Sequence, residues 1–218
     1  MPRFLYFAYG SNLLAERLAA RCPSAEPKGV VHVAGWRLAF HSKSFDGSGK
    51  ATLIRGEESD VVHGRLYEIP VGERDALDKA EGVDRDPPVY LRHDDFVVTG
   101  ADGETISDVS VYLAREETPA LAPYDWYRAL VVAGGMQAGL PAGDVAAIAV
   151  TPALPDPLPN RRGRRDGLAA LEKAGFSELA KACGGGTATP ANDRTAKSAK
   201  ASVDAVAEKA VAEAISGL

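Results

Sequence analysis

The hydrophobic pattern opens on an unbroken run, Phe4-Leu5-Tyr6-Phe7-Ala8-Tyr9, that stops at Gly10-Ser11-Asn12. Such a run fits a strand buried on both faces, and Gly-Ser-Asn is turn chemistry that feeds a helix. Residues 13–20 carry Leu14 and Leu18 at helical spacing, with Glu16 in the first turn and a stop near Pro23. Across residues 30–40, Trp36, Leu38 and Phe40 alternate with Arg37 and Ala39, the period of one half-buried strand. Residues 41–50 are polar and contain glycine, which predicts a loop. Residues 51–54 and 61–69 read as further strands.

In residues 72–80 the pattern changes: Leu77 and Ala80 stand among Glu73, Arg74, Asp75, Asp78 and Lys79, a short surface helix. Gly82 then serves as a left-handed cap immediately after Glu81. Residues 89–99 and 105–114 are two strands around the turn Ala101-Asp102-Gly103. A helix over residues 123–139 holds Trp126, Tyr127, Leu130, Val131 and Met136, and Pro141 starts another that runs through Ala147.

The proline-rich stretch 151–159 is expected to close the compact part, because proline cannot donate to a ladder. Beyond it, Arg161-Arg162-Gly163-Arg164-Arg165 precedes a helical segment at residues 168–182. The cluster is open to two readings, a solvated face or a contact for a substrate carboxylate. Residues 184–202 are low-complexity and expected to be disordered, and 203–214 are weakly apolar at helical spacing. The division is thus a catalytic domain over 1–160, a helical extension over 161–183 and a tail over 184–218. On this division, removing everything after Pro159 is expected to leave activity largely unchanged.

Composition narrows the partners. In 218 residues, 45% are hydrophobic and 25% charged, enough for one well-buried domain with extra segments. The formal net charge of −5 gives no general attraction to nucleic acid or an anionic membrane, so a small molecule is the expected partner. Cys22 and Cys183 lack ligand spacing, which argues against a disulfide framework and a zinc site. No run reaches the roughly 20 apolar residues of a membrane span. The chain is expected to be soluble and cytoplasmic, with a homodimer left open.

Two places carry candidate chemistry. The first is the turn after the opening strand, where backbone N–H groups at a helix start stabilise anions and oxyanions. There Gly10 removes a Cβ from the approach, and Ser11 and Asn12 add side-chain donors. The same residues also suit an ordinary cap. The second is Glu81, placed at a helix C-terminus where the dipole disfavours its ionised form, as general acid/base work near neutrality requires. A solvated surface glutamate fits position 81 as well, since the chain has 30 acidic residues. Tyr127 and Trp126 are core aromatics by default.

The opening stretch 4–14, then Gly49-Lys50-Ala51-Thr52-Leu53-Ile54, then Leu77-Asp78-Lys79-Ala80-Glu81-Gly82 followed by Tyr90-Leu91-Arg92, and finally Tyr127 leading to Gly139-Leu140-Pro141 stand in one order. Together these blocks, spanning residues 3–150, resemble the γ-glutamylcyclotransferase family. The resemblance implies an α+β fold with a small mixed β-barrel and flanking helices, and an enzyme that needs neither metal nor nucleotide. It implies cyclisation of a γ-glutamyl group to 5-oxoproline with release of an amino acid or amine. Glu81 matches the family's catalytic glutamate; Tyr9, Gly10, Ser11, Asn12 and Leu13 match its pocket, with Tyr90 and Tyr127 as aromatic members. Three readings follow: action on γ-glutamyl amino acids or peptides, action on γ-glutamyl amines or protecting groups, and a binding module without catalysis. The loop between Glu81 and Tyr90 is longer than in the glutathione-pathway members.

Overall fold

The computed structural model describes residues 1–184, together with Ala205, Lys209 and Ala212. The expectations for residues 185–202 and for most of 203–214 lie outside the described residues. Over residues 1–184 the chain forms, in order, β1 (Arg3–Ala8), α1 (Ala15–Ala19), β2 (Glu26–Ala34), β3 (Trp36–Lys43), β4 (Gly49–Arg55), β5 (Val61–Pro70), α2 (Arg74–Glu81), β6 (Tyr90–Thr99), β7 (Thr105–Ala114), α3 (Asp125–Ala138), α4 (Ala142–Ala149), α5 (Arg162–Lys173) and α6 (Ser177–Gly184).

Five strands close into a barrel in the order β1-β5-β2-β6-β7. All neighbours are antiparallel except β1 and β7, which run parallel where the barrel closes. β3 and β4 form a separate antiparallel pair packed against β5 and β7. This is the mixed barrel with flanking helices that the sequence implied.

The opening strand is buried on both faces, for the reason its pattern gave. Phe4, Tyr6 and Ala8 enter one core with Leu18, Tyr67, Ile69 and Leu77, while Phe7 enters the other with Val31, Leu66, Val109 and Leu130. Every alternate residue therefore has an apolar partner.

Four expectations need correction. The strand over residues 30–40 is two strands, because Gly35 takes φ +76° and turns the chain between β2 and β3. The loop over residues 41–50 is shorter, since β3 runs through Lys43 and β4 starts at Gly49. The compact part does not close at Pro159. The helical segment is two helices broken at Gly175 (φ +87°), and both pack on α3. Leu171, Leu179, Ala180 and Cys183 share the main core with Trp126 and Leu130. Among the described residues, no helix is long and apolar enough to cross a membrane.

Candidate active site

β1 ends at Ala8, and the chain turns through Tyr9 and Gly10 into a single 3₁₀ turn, Ser11–Leu13, before α1 begins. α3 passes directly over this turn. A Cβ on Gly134 would stand 2.5 Å from the Leu14 nitrogen and 2.6 Å from the Leu13 Cβ, so the close approach requires glycine there. Gln137, one turn further along α3, accepts from the Ala15 N–H (2.9 Å) and donates to Glu16 (2.8 Å), which ties the start of α1 to α3. From below, Tyr67 donates to the Leu13 carbonyl (3.2 Å). The turn is held from both sides.

The helix start differs from the expectation. A three-residue turn has little macrodipole, so what it offers is backbone donors rather than a field. The Leu13 N–H is already spent on the Gly10 carbonyl (2.9 Å). The Leu13 side chain is wholly buried in the main core and does not line the cleft. Its place in the expected pocket is therefore corrected: it anchors the turn, and the donors at the start of the turn are the N–H groups of Ser11 and Asn12.

α2 brings Glu81 to the same place. Gly82 adopts φ +70° as the left-handed cap and ends the helix, leaving the Glu81 side chain 16% exposed. Asn12 Nδ2 donates to Glu81 Oε1 at 2.9 Å and also contacts the Tyr6 hydroxyl at 2.9 Å. Arg21, just past α1, donates to the same carboxylate oxygen at 3.2 Å and to Asn12 Oδ1. The negative end of α2 is thus not the only influence on Glu81: a cation and an amide donor face it.

The structure brings Tyr9, Gly10, Ser11, Asn12, Glu81, Tyr90 and Tyr127 around one narrow cleft of about 30 Å³, with Tyr6, Ala51 and Tyr112. Tyr90 donates to the Ala51 carbonyl (2.7 Å), and the Ala51 N–H donates to the Tyr127 hydroxyl (3.2 Å), so the two aromatics pin β4 against the turn. A Cβ on Gly10 would come within 3.0 Å of the Ala51 Cβ and 3.6 Å of the Tyr127 hydroxyl, which would narrow the cleft. Tyr9 donates to the Tyr112 carbonyl. Burial, reinforced by the Glu81 charge, holds the Tyr6 and Tyr9 hydroxyls well above their usual range, and burial does the same for Tyr90. All three therefore remain protonated donors at neutral pH.

Arg21, Tyr6 and Tyr112 escaped the reading of the sequence. Tyr6 lay inside a run whose inward and outward residues all looked alike, and Arg21 is one basic residue among 25. The Arg161–Arg165 cluster lines neither this cleft nor the cavity beside it. Arg164 is buried and donates to the carbonyls of Pro159 (2.8 Å) and Cys183 (2.6 Å), and Arg161 pairs with Asp156 (2.9 Å). Those two residues hold the extension in place; Arg162 and Arg165 are the exposed ones. Cys22 and Cys183 are buried and unpaired, and burial pushes the Cys22 thiol up to about 12.

Residues 6–129 match the family described as gamma-glutamyl cyclotransferase, AIG2-like. The chain belongs to this family. Gamma-glutamylcyclotransferase of Bos taurus is 32% identical over 144 residues, covering 63% of this chain and 73% of that protein. The Homo sapiens protein of the same name is 31% identical over the same shares. A solved structure named gamma-glutamyl cyclotransferase superposes with a TM-score of 0.64 at 27% identity, covering 70% of this chain and 89% of its own. This γ-glutamylcyclotransferase family is a family of enzymes, and its matched region contains every residue of the cleft. The match ends inside α3, so α4, α5 and α6 lie beyond it.

Proposed function

We propose that the protein cyclises the γ-glutamyl group of γ-glutamyl amino acids or small peptides to 5-oxoproline and releases the amino acid or peptide. The observation that carries this reading is the Glu81 carboxylate held 2.9 Å from the Asn12 amide, in one cleft with the backbone of residues 10–12. Glu81 takes a proton from the substrate's α-ammonium, and the freed amine attacks the γ-carbonyl carbon of the same molecule. One C–N bond forms. The tetrahedral oxyanion lies against the N–H groups of Ser11 and Asn12, which are already oriented before the reaction. As the original C–N bond breaks, Glu81 passes on this proton and then the second proton of the attacking nitrogen, so the ring nitrogen keeps one hydrogen, the departing nitrogen leaves as an ammonium, and atoms and electrons balance without water.

Attack within one molecule supplies proximity, and the protein's task is to hold a folded conformer. Tyr90 and Tyr127 wall the cleft, and Tyr9 closes its floor through Tyr112. Arg21 and Asn12 hold Oε1 of the carboxylate that shuttles the proton. The test is 5-oxoproline release from γ-glutamyl-alanine by the wild type and by Glu81→Gln. The variant is expected to fold normally and to lose about 10² to 10⁴-fold in kcat, the usual contribution of a placed acid/base group. Full activity in the variant would remove Glu81 from the reaction.

A further inference from the structure

Outward from Glu81 the cleft continues into a second cavity of about 220 Å³, which shares Ser11, Glu81, Tyr90 and Tyr127 with the first. Its wall is cationic. Arg17, Arg21, Lys50 and Arg85 line it, against Glu81 as the single carboxylate among the lining residues.

Two of these cations are already matched. Arg21 faces Glu81 at 3.2 Å, and Lys50 holds Asp46 at 2.7 Å while lying over the rings of Trp126 and Tyr127. The other two hold no ion pair among the described residues, although Asp166 and Glu81 act on Arg17 through space. Among the described residues, nothing accepts a hydrogen bond from the buried Arg17 Nε, an arrangement that costs free energy unless something does. Burial and the neighbouring Arg21 charge bring Arg17 down to about 10, so it is still a cation at neutral pH. Arg85 stacks on Phe45 at 4.3 Å, and Phe45 is 75% exposed at the rim. Asp84 and Asp86 flank Arg85 in sequence but are exposed and do not line the cavity.

The position of this wall relative to the chemistry decides what it meets. If the glutamyl unit lies against the turn with its γ-carbonyl at Glu81, the half that leaves extends into the outer cavity. We propose that this wall is a subsite for a leaving half with more than one carboxylate, so that the preferred substrates are γ-glutamyl conjugates of acidic amino acids or acidic peptides rather than of amino acids with a single carboxylate or of amines. The proposal rests on the cyclisation reading given above and refines it. An acidic leaving half gives Arg17 and Arg85 the charge-assisted partners they lack, and an ammonium there would be repelled by four cations.

The full-length protein is assayed for 5-oxoproline release from γ-glutamyl-glutamate, γ-glutamyl-alanine and ε-(γ-glutamyl)-lysine at one fixed ionic strength. The leaving half carries two carboxylates in the first substrate, one in the second, and one carboxylate with an ammonium in the third; the expected order of kcat/KM follows that falling negative charge, with the glutamate conjugate favoured over the alanine conjugate by about tenfold. Raising the salt should shrink that ratio, because part of it is a screened interaction. Arg85→Ala, on an exposed loop, is expected to bring the ratio toward one, and Arg85→Glu to reverse it. A wild-type ratio near one would overturn the inference while leaving the cyclisation reading standing. So would an Arg85→Ala effect equal on all three substrates, since the cations would then be holding the glutamyl carboxylate they have in common. No product from any of the three would overturn both.

Discussion

Arg21 shows how much a single side chain decides at this site. Its guanidinium donates to the Asn12 side-chain carbonyl and to Glu81 Oε1 at once, and the first of these bonds turns the amide so that its nitrogen faces Glu81. It therefore acts through Asn12 and Glu81 rather than on the γ-carbonyl. Replacing it by methionine is expected to lower kcat by about 10²-fold with a smaller change in KM, the cost of letting a proton-transfer group drift by about an ångström. Arg21→Lys should recover part of the loss, because a cation returns without the two-pronged geometry. Steady-state kinetics on the three proteins separates these outcomes, and a purely structural role would instead appear as lost soluble protein. Glu81 could be read from its place before a glycine cap and within a family block. Arg21 could not, since it follows α1 with no pattern of its own and its meaning comes only from a carboxylate sixty residues away in sequence.

Among the elements, α3 does most to shape the cleft, and it does so with its small residues. Gly134 lets the turn at residues 11–14 lie against the helix, so Gly134→Ala forces a methyl group into the Leu14 backbone nitrogen and the Leu13 side chain. A loss of about 1–3 kcal/mol in urea unfolding is expected, as for other overpacked cores, together with reduced turnover because the displaced atoms belong to the turn. The start of α3 is also pH-sensitive. Burial raises the Asp125 carboxyl from 3.8 to about 6. The folded chain therefore binds this proton more tightly than the unfolded one. Its contribution to stability is complete below pH 3.8 and is lost as the pH rises to about 6. Asp125→Asn keeps an acceptor for the Trp126 N–H and cannot ionise. Its melting temperature is expected to gain on the wild type steadily from about pH 4 to pH 6, and parallel curves would assign the slope to other groups. The pattern of α3 announced a helix with its apolar residues, but a glycine in mid-helix carries no sign of what crosses it. The break between β2 and β3 was missed for a related reason. Alternation continues through Gly35 on both sides, and only a positive φ reveals the turn.

For the molecule as a whole, the question is where the folding unit ends, and the proline-rich stretch misleads because its prolines do not interrupt the packing. Residue 154 runs beside residue 124, with the Leu154 N–H donating to Pro123 (2.9 Å) and the Asp125 N–H donating to Leu154 (2.8 Å). The Trp126 indole donates to the buried Asp156 (3.0 Å). This path delivers α5 and α6 onto α3, where Gly167 lies so close to Trp126 that a Cβ would approach its ring at 2.9 Å. Leu171 is wholly buried, and so is nearly all of Leu179. Arg164 seals the joint by capping the carbonyl end of α6. Trp126, Tyr127 and Lys50 sit between this packing and the outer cavity. Truncation after Pro159 is therefore expected to destabilise the barrel domain and lower its activity, contrary to what the composition of the segment implied. Leu171→Ala alone should cost about 2–5 kcal/mol in urea unfolding, the range for a large side chain deleted from a packed core. A truncated chain that melts with the full-length protein and turns over γ-glutamyl-alanine at the same rate would show that α5 and α6 only rest on a domain complete without them.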